Sequence, residues 1–173
     1  MSRPNEMNYH IARLLILLRH FGPNEKAPLK GITKLAKLDF LLRYPAFTDQ
    51  VLANRGLQWP LGAEPSDTEL KAVESRMIRY KYGPWDDRYY ALLGTLVGLG
   101  LAEVSKERRS IAIRLTQEGQ SRAESIARTK EWLEADIRSR FLQQNLNFSG
   151  NRLKEIIYAE LPNVVDRPYR VEI

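Results

Sequence analysis

Residues 88–128 read RYYALLGTLVGLGLAEVSKERRSIAIRLTQEGQSRAESIAR, and this run has the clearest structural pattern in the chain. Its first part predicts a helix over Arg88–Val97. The apolar residues that recur on one face of this helix are Tyr89, Leu92, Leu93 and Leu96. Gly98 and Gly100 follow, and glycine is the usual residue at the left-handed position that ends a helix. We therefore expect a core-facing helix that ends at this glycine pair.

A β-hairpin is predicted directly after the glycines. Its strands are expected over Leu101–Val104 and Ile111–Leu115, and residues 105–109 (SKERR) form a basic hairpin tip. Apolar residues at every second position of the later strand indicate one buried face. Thr116 is predicted to cap a helix over Gln117–Arg128. Helix, glycine turn, basic hairpin and helix in this order predict a mainly α protein with a small β-hairpin wing, a winged helix-turn-helix with helical extensions.

Helical patterns also flank this run on both sides. They predict helices over residues 8–21, 34–44, 46–56, 66–75, 129–147 and 152–160. Residues 58–68 are rich in proline, glycine and acidic residues and predict a loop that serves as a flexible joint. We expect an N-terminal helical part (1–57), a winged-helix core (66–128) and a C-terminal helical extension with a tail (129–173).

Several local predictions follow from single residues. Thr33 is expected to cap the second helix, and Ser66 with Glu69 has the spacing of a capping box. The side chains of Lys34, Lys37 and Arg43 are expected on the outer side of the second helix, and that of Leu133 on the apolar side of the helix over 129–147. Residues 77–82 are predicted to be extended, with Gly83-Pro84 breaking the segment and Asp86 or Asp87 capping the next helix.

Composition restricts the class of protein. The 173 residues include no cysteine, which excludes disulfides and thiolate chemistry and favours a reducing compartment. The apolar run 11–18 is interrupted by Arg13 and resembles neither a signal peptide nor a membrane span, so we expect a soluble, cytoplasmic protein without a membrane partner. The formal net charge of +6 favours contact with polyanions such as nucleic acid.

The residues give little support to catalysis. His10 and His20 lie on one helix, too far apart along its axis to share a metal, and each is interpreted as a partly exposed or satisfied helix histidine. No phosphate-binding loop is present, and helix capping explains Asp86 and Asp87 better than metal ligation does. We therefore predict a protein that is not an enzyme and that uses no cofactor and no metal.

The predicted hairpin supplies candidate contacts to a DNA backbone. These residues are Lys106, Arg108, Arg109 and Arg114. A solvated tip that deters strand pairing is an equally good interpretation of the same charges. In a DNA-binding winged helix the preceding helix enters the major groove, yet Tyr89, Tyr90 and Thr95 are the only polar residues on it after Arg88. Because base edges are read mainly by Arg, Lys, Asn and Gln, sequence-specific recognition is not expected.

An aromatic and basic cluster is the most distinctive part of the chain. Its candidate partner-contacting residues are Arg79, Tyr80, Tyr82, Trp85, Arg88 and Tyr90. Tyr, Trp and Arg are enriched at the centres of protein interfaces. The same aromatic residues could instead fill the core, and we expect the cluster to divide between these two roles.

The runs GITKLAKLDFLLRYP (31–45) and MIRYKYGPWDDRYYALL (77–93) together resemble the middle component of bacterial three-component ABC systems, which overlap with Lamassu-type antiphage defence. The resemblance covers roughly residues 8–120. It implies a small winged-helix subunit beside an SMC- or Rad50-like ATPase and an effector, often a nuclease. It implies no catalytic residue. The hairpin residues are inferred from this sequence and are not a site of that family.

Three functions remain open from the sequence. The first is a non-catalytic accessory subunit that bridges the ATPase and the effector of such a defence complex. This subunit would contact the phosphate backbone of double-stranded DNA. The second is a stand-alone winged-helix transcriptional regulator, which the basic hairpin supports and the apolar helix opposes. The third is an antitoxin-like protein that masks a toxic enzyme.

Overall fold

A computed structural model describes residues 4–71, 78–80 and 83–160 of the chain. The described part is mainly helical and contains a small three-stranded antiparallel sheet and a separate two-stranded ribbon. Its helices are α1 (Pro4–Phe21), α2 (Ile32–Arg43), α3 (Pro45–Asn54), α4 (Asp67–Lys71), α5 (Tyr89–Gly98), α6 (Gln117–Ala127), α7 (Leu133–Leu146) and α8 (Gly150–Glu160). Its strands are β1 (Leu29–Lys30), β2 (Ile78–Tyr80), β3 (Gly83–Trp85), β4 (Ala102–Lys106) and β5 (Ile111–Leu115).

The first helix is the centre of the fold. α1 packs against α6, α7 and β5, and its residues from Leu14 to Leu18 are at most 1% exposed. It begins at Pro4, four residues before the predicted start at residue 8. A main core cluster runs from α1 through α2 and α5 to α8, so all three predicted parts of the chain contribute to it. None of the helices within the described ranges is long and apolar enough to cross a membrane.

The predicted hairpin is confirmed and has a third strand beside it. The order of the strands in the sheet is β1-β5-β4, and Ala102 lies opposite Leu115 while Lys106 lies opposite Ile111. β1 was not predicted, because a strand of two residues is too short to show an alternating pattern. Gly22 allows the sheet to approach the end of α1, since a Cβ atom there would lie 2.7 Å from the Ile113 carbonyl oxygen.

For the helices on either side of the hairpin, the inward face of α5, its glycine end and the Thr116 cap are confirmed. The predicted cap by Asp86 or Asp87 is wrong, because the N-cap residue of α5 is Arg88 and no side chain of the described residues caps this helix. All four side chains predicted to face inward from α5 are at most 4% exposed. Gly100 has φ 71°, and the Leu101 amide donates to the Leu96 carbonyl oxygen at 2.9 Å, which is a glycine-dependent helix end. The Thr116 hydroxyl accepts the Gly119 amide at 3.0 Å and caps α6 as predicted.

Two predictions for α2 are wrong. Thr33 does not cap this helix, because α2 begins at Ile32 after Gly31, whose amide donates to the Ile111 carbonyl oxygen and joins the helix start to the sheet. Lys37 and Arg43 are not on an outer side, since they are only 2% and 9% exposed. Burial and then the nearby Lys154 ammonium lower the pKa of Lys37 to about 8.

The segment around Gly83-Pro84 also differs from its prediction. These residues do not break the extended segment; they begin β3, which pairs with β2 so that Arg79 lies opposite Pro84. Proline is tolerated here because a two-stranded ribbon leaves alternate amides outside the hydrogen-bonded ladder. Met77 and Tyr82, also predicted in this segment, lie outside the described residues.

Residues 58–66 form a loop as predicted and pack against α7, whereas residues 67 and 68 already belong to α4. Arg138 donates from Nε to the Ala63 carbonyl oxygen at 2.8 Å and from Nη1 to Glu69 at 2.7 Å. The capping box forms, since the Ser66 amide donates to Glu69 at 2.9 Å and the Glu69 amide to Ser66 at 3.2 Å. On α7 the prediction for Leu133 is wrong: it is 49% exposed, whereas Arg138 is buried.

Candidate functional site

The exposed side of α5 carries no charge. We define the α5 outer face as the exposed residues of this helix, which are Tyr90, Ala91, Gly94, Val97 and Gly98. None of the ten residues of α5 is Asp, Glu, Lys, Arg or His. A Cβ atom added at Gly94 or at Gly98 would meet nothing within 4 Å, so this face is open and smooth.

The outer face also lacks groups that could read base edges. Thr95 is half-buried, and its hydroxyl donates to the Ala91 carbonyl oxygen at 2.9 Å within the helix. The Tyr90 phenol, on a side chain that is 68% exposed, is the one polar side chain left on this face. Apolar exposure continues beyond the helix at Leu99, which is 60% exposed, and at Val104 on β4, which packs beside α5. The surface is therefore suited to contact with protein rather than with bases.

The hairpin tip has the opposite character. Lys106, Arg108 and Arg109 are exposed, and none of them forms an ion pair with a carboxylate in the described part of the chain. Glu107 is the one acid of the tip, and its carboxylate lies 3.7 Å from the Lys30 ammonium on β1. The tip is therefore a compact group of cations that a phosphate backbone could neutralise.

The structure separates Arg114 from the other predicted hairpin cations. It lies opposite Glu103 near the far end of the hairpin and forms ion pairs with Glu103 and, at 3.3 Å, with Glu25. These two carboxylates and the distance from the tip leave Arg114 poorly placed to join a contact made by the tip.

The aromatic and basic residues predicted to meet a partner are divided between core and surface. Trp85 is buried and lies 5.3 Å from the Tyr89 ring and 5.9 Å from the Tyr90 ring, measured between ring centroids. Arg88 is half-buried, and Tyr90 is exposed. Arg79 and Tyr80 lie on β2, and Tyr82 lies outside the described residues. Trp85, Arg88 and Tyr90 thus lie together at the start of α5.

Beneath α5 lies a buried group of charges that the sequence analysis did not identify. Asp39 is 0% exposed and accepts Arg13 Nε at 2.6 Å, Arg13 Nη2 at 3.1 Å and the Tyr89 hydroxyl at 2.7 Å. Burial alone would raise the pKa of Asp39, but the Arg13 and Arg43 guanidiniums outweigh burial and hold that pKa below its ordinary value. Asp39 is therefore a carboxylate that ties α1 and α2 to the first residue of α5.

The same group extends to the turn before α5. Arg43 Nη1 lies 2.8 Å from Asp86, and Arg88 Nη2 lies 2.6 Å from the same carboxylate. Asp86 also accepts the Arg88 amide at 2.9 Å, which fixes the turn, and Arg88 reaches Glu6 on α1 at 3.3 Å. We call these residues the ion network: Glu6, Arg13, Asp39, Arg43, Asp86 and Arg88. Because its acids and bases are equal in number, it is a positioning device for α5 rather than a charged site.

A sequence signal for the ion network existed. Arg13 interrupts an apolar run on α1, and Asp39 stands between Leu38 and Phe40 on α2. A charge inside an apolar face needs a partner of opposite charge when it is buried. The sequence could therefore show that Arg13 and Asp39 each need a partner when buried. It could not show that they are partners of each other, because that depends on how α1 packs against α2.

The two histidines have separate surroundings, as predicted. His10 contacts Arg13 and Arg88 beside the ion network, and His20 Nε2 lies 2.7 Å from Asp136 on α7. Burial lowers the pKa of His20 despite the opposing effect of the Asp136 carboxylate. Within the described ranges, no three residues among His, Asp and Glu are grouped so that they could hold a metal ion.

Comparison with protein-family models, with curated proteins and with solved structures finds no match to this chain. The fold and the site together define a mainly helical protein with a small antiparallel sheet, an uncharged exposed helix face and a basic hairpin tip.

Proposed function

We propose that this chain has the winged-helix topology. The order α1-β1-α2, then α5, β4 and β5, with the sheet order β1-β5-β4, supports this proposal, in which α3, α4 and the β2-β3 ribbon are insertions. In this arrangement α5 occupies the position of the helix that enters the major groove in DNA-binding members. The hairpin tip is then the wing.

We further propose that the protein is a non-catalytic accessory subunit of an SMC- or Rad50-like ATPase antiphage defence complex. In this role it bridges the ATPase and an effector nuclease. The observation that carries the proposal is the α5 outer face, which has no charged residue in a chain where 28% of residues are charged. A helix in the groove-facing position without base-reading groups is suited to docking on protein. The resemblance of residues 31–45 and 77–93 supplies the class of partner.

The wing adds a contact with the backbone of double-stranded DNA in this proposal. Lys106, Arg108 and Arg109 have no carboxylate partner in the described part of the chain, so phosphates would neutralise them without displacing an internal ion pair. Each phosphate contact contributes about 0.9 to the slope of log affinity against log salt concentration. Changing all three residues to Gln should therefore reduce that slope by about 2 to 3 and weaken binding equally on unrelated duplexes.

The accessory role is tested by a tagged pull-down from the native operon. The variant Val97→Asp places a charge on the α5 outer face, where Val97 is 44% exposed, so folding should be retained. The matched control is Leu61→Asp, because Leu61 is 95% exposed on the loop over 58–66. We expect the wild-type protein and the control to recover the ATPase and the effector, and Val97→Asp to recover at most one of them. Equal recovery with all three would contradict the proposal.

A second candidate is a stand-alone winged-helix transcriptional regulator, which the basic wing favours. It predicts a palindromic binding site and a clear preference for that site over random duplex. Selection of bound sequences from a random DNA pool distinguishes the two functions. Enrichment of one motif would support the regulator, and uniform recovery would support the accessory subunit.

A further inference from the structure

A cleft lies between α1, the junction of α2 with α3, and the start of α7. Its volume is about 320 Å³, which is within the range of about 300–1,000 Å³ typical of binding pockets. Tyr9 and Trp132 form one wall, and Glu131 and Glu134 also line it. Arg13 and Arg43 of the ion network also line the cleft, whereas no residue of the α5 outer face or of the hairpin tip does.

The basic side chains of the cleft are already neutralised. Arg13 is paired with Asp39, Arg43 with Asp86, and Arg138 with Glu69. All three arginines are at most 9% exposed, so their charges are satisfied inside the protein and do not face a ligand as free cations.

Glu69 also lines the cleft and is paired with Arg138, but the other two acidic side chains, Glu131 and Glu134, are not neutralised in this way. Glu131 is exposed and forms no ion pair among the described residues. Glu134 has a side chain that is 58% exposed, and its described cationic neighbour is the Nη2 atom of Arg138 at 3.5 Å, which is bound more closely by Glu69 at 3.1 Å. The charge that remains available at the cleft is therefore negative, in a chain whose formal net charge is +6.

The aromatic wall is suited to a flat cation. The Tyr9 and Trp132 rings are 5.1 Å apart between centroids, at an angle of 41°, and Tyr9 is 44% exposed. The Arg13 guanidinium already lies 5.8 Å from the centre of the Tyr9 ring, so this ring accepts a cation from within the chain. Guanidinium groups stack on aromatic faces and bind carboxylates through two parallel hydrogen bonds, which an ammonium group cannot do.

We propose that this cleft binds an arginine side chain presented by a partner protein. The guanidinium stacks on the Tyr9 and Trp132 wall and donates hydrogen bonds to Glu131 and Glu134. This inference goes beyond the proposed function and does not depend on it, because it concerns another surface and any partner with an exposed arginine.

The test uses the full chain labelled with ¹⁵N and two tripeptide probes. The first probe is N-acetyl-Gly-Arg-Gly-amide, and the second contains citrulline, which has nearly the same shape as arginine without its charge. The chain has three tryptophans, and Trp132→Phe assigns the indole N–H signal of Trp132. We expect the arginine peptide to move this signal in a saturable way, to leave in place the signal of Trp85, which does not line the cleft, and to bind about fivefold or more tightly than the citrulline peptide.

The carboxylates are tested with Glu131→Gln combined with Glu134→Gln. The matched control is Glu118→Gln combined with Glu124→Gln, which makes the same change in net charge on exposed residues of α6. We expect the first double variant to weaken binding of the arginine peptide about fivefold or more and the second to leave it within twofold. Equal binding of the two peptides, no movement of the Trp132 signal, or unchanged binding by the first double variant would each overturn the proposal.

Discussion

The two sides of α5 use charge in opposite ways. On its buried side, Tyr89 donates to the fully buried Asp39, and the turn before the helix is held by Arg43, Asp86 and Arg88. On its exposed side the helix has no charged residue. The rest of the buried side is apolar, at Leu92, Leu93 and Leu96. The ion network at the start of the helix therefore sets its orientation, while the uncharged exposed side is kept for contact.

The largest expected effect on stability comes from removing an acid of the buried ion network. Asp39→Ala should lower the free energy of unfolding by about 3–5 kcal/mol, because it leaves the buried Arg13 without its partner. Urea denaturation measures this change. The control Glu124→Ala removes a side chain that is 50% exposed and should change stability by less than about 0.5 kcal/mol. Similar effects of the two variants would contradict a structural role for the ion network.

Substitutions at two neighbouring residues of α5, Leu96 and Val97, compare the stability contributions of its buried and exposed sides. Leu96 is 0% exposed, and Leu96→Ala should reduce stability by about 2–5 kcal/mol. Val97 is 44% exposed, and Val97→Ala should change it by less than about 1 kcal/mol. Thermal denaturation of both variants measures the difference. If the two effects are equal, the orientation assigned to α5 is wrong.

The dependence of stability on low pH tests the partly exposed ion pair between Glu69 and Arg138, in contrast to the buried ion network. The hydrogen bond from Arg138, together with further hydrogen bonds from Ser66, lowers the pKa of Glu69 to about 2 despite some burial. A lowered folded-state pKa stabilises the protein fully above the unfolded value near 4.5, and this stabilisation is lost as pH falls through about 2. Since the Glu69 side chain is 38% exposed and therefore partly screened by solvent, its contribution should be about 1 kcal/mol. Glu69→Gln should flatten the stability curve over this pH range, and an unchanged slope would count against the pair.

The smallest expected effect on stability comes from adding a methyl group to the exposed side of α5. Gly94→Ala should stabilise the chain by about 0.5–1 kcal/mol, because alanine favours helix and a Cβ atom there meets nothing within 4 Å. The contrasting variant is Gly119→Ala, whose Cβ would lie 1.8 Å from the Leu101 carbonyl oxygen and should destabilise the fold. Calorimetry of the two variants measures both signs. Destabilisation by Gly94→Ala would show that this face is not open.

The parts of this fold that sequence predicted are those set by neighbours in the chain. The inward residues of α5, the glycine that ends it, the hairpin strands and the Thr116 cap all depend on contacts within a few positions. Thr33 failed as a cap because Gly31 pairs with Ile111, a residue 80 positions away, and this pairing decides where α2 begins.

In the candidate site, too, sequence predicted the local features and missed those that depend on tertiary packing. The lack of base-reading groups on α5 and the basic tip could be read from composition. The burial of Lys37 and Arg43, the ion network and the distance of Arg114 from the tip could not, because each depends on which elements pack together. Arg13 and Asp39 are separated by 26 positions, and nothing local links them.

The central claim is that the α5 outer face meets a protein partner. Photo-cross-linking in cells that express the native operon tests it most directly, with p-benzoylphenylalanine in place of Tyr90, which is 68% exposed, and in place of Leu61 as the control. If the α5 outer face docks on protein, position 90 should cross-link to the ATPase or the effector, and position 61 should cross-link to neither. A protein that stays uncross-linked at position 90 while the complex is intact, or that cross-links there only to DNA, would contradict the account.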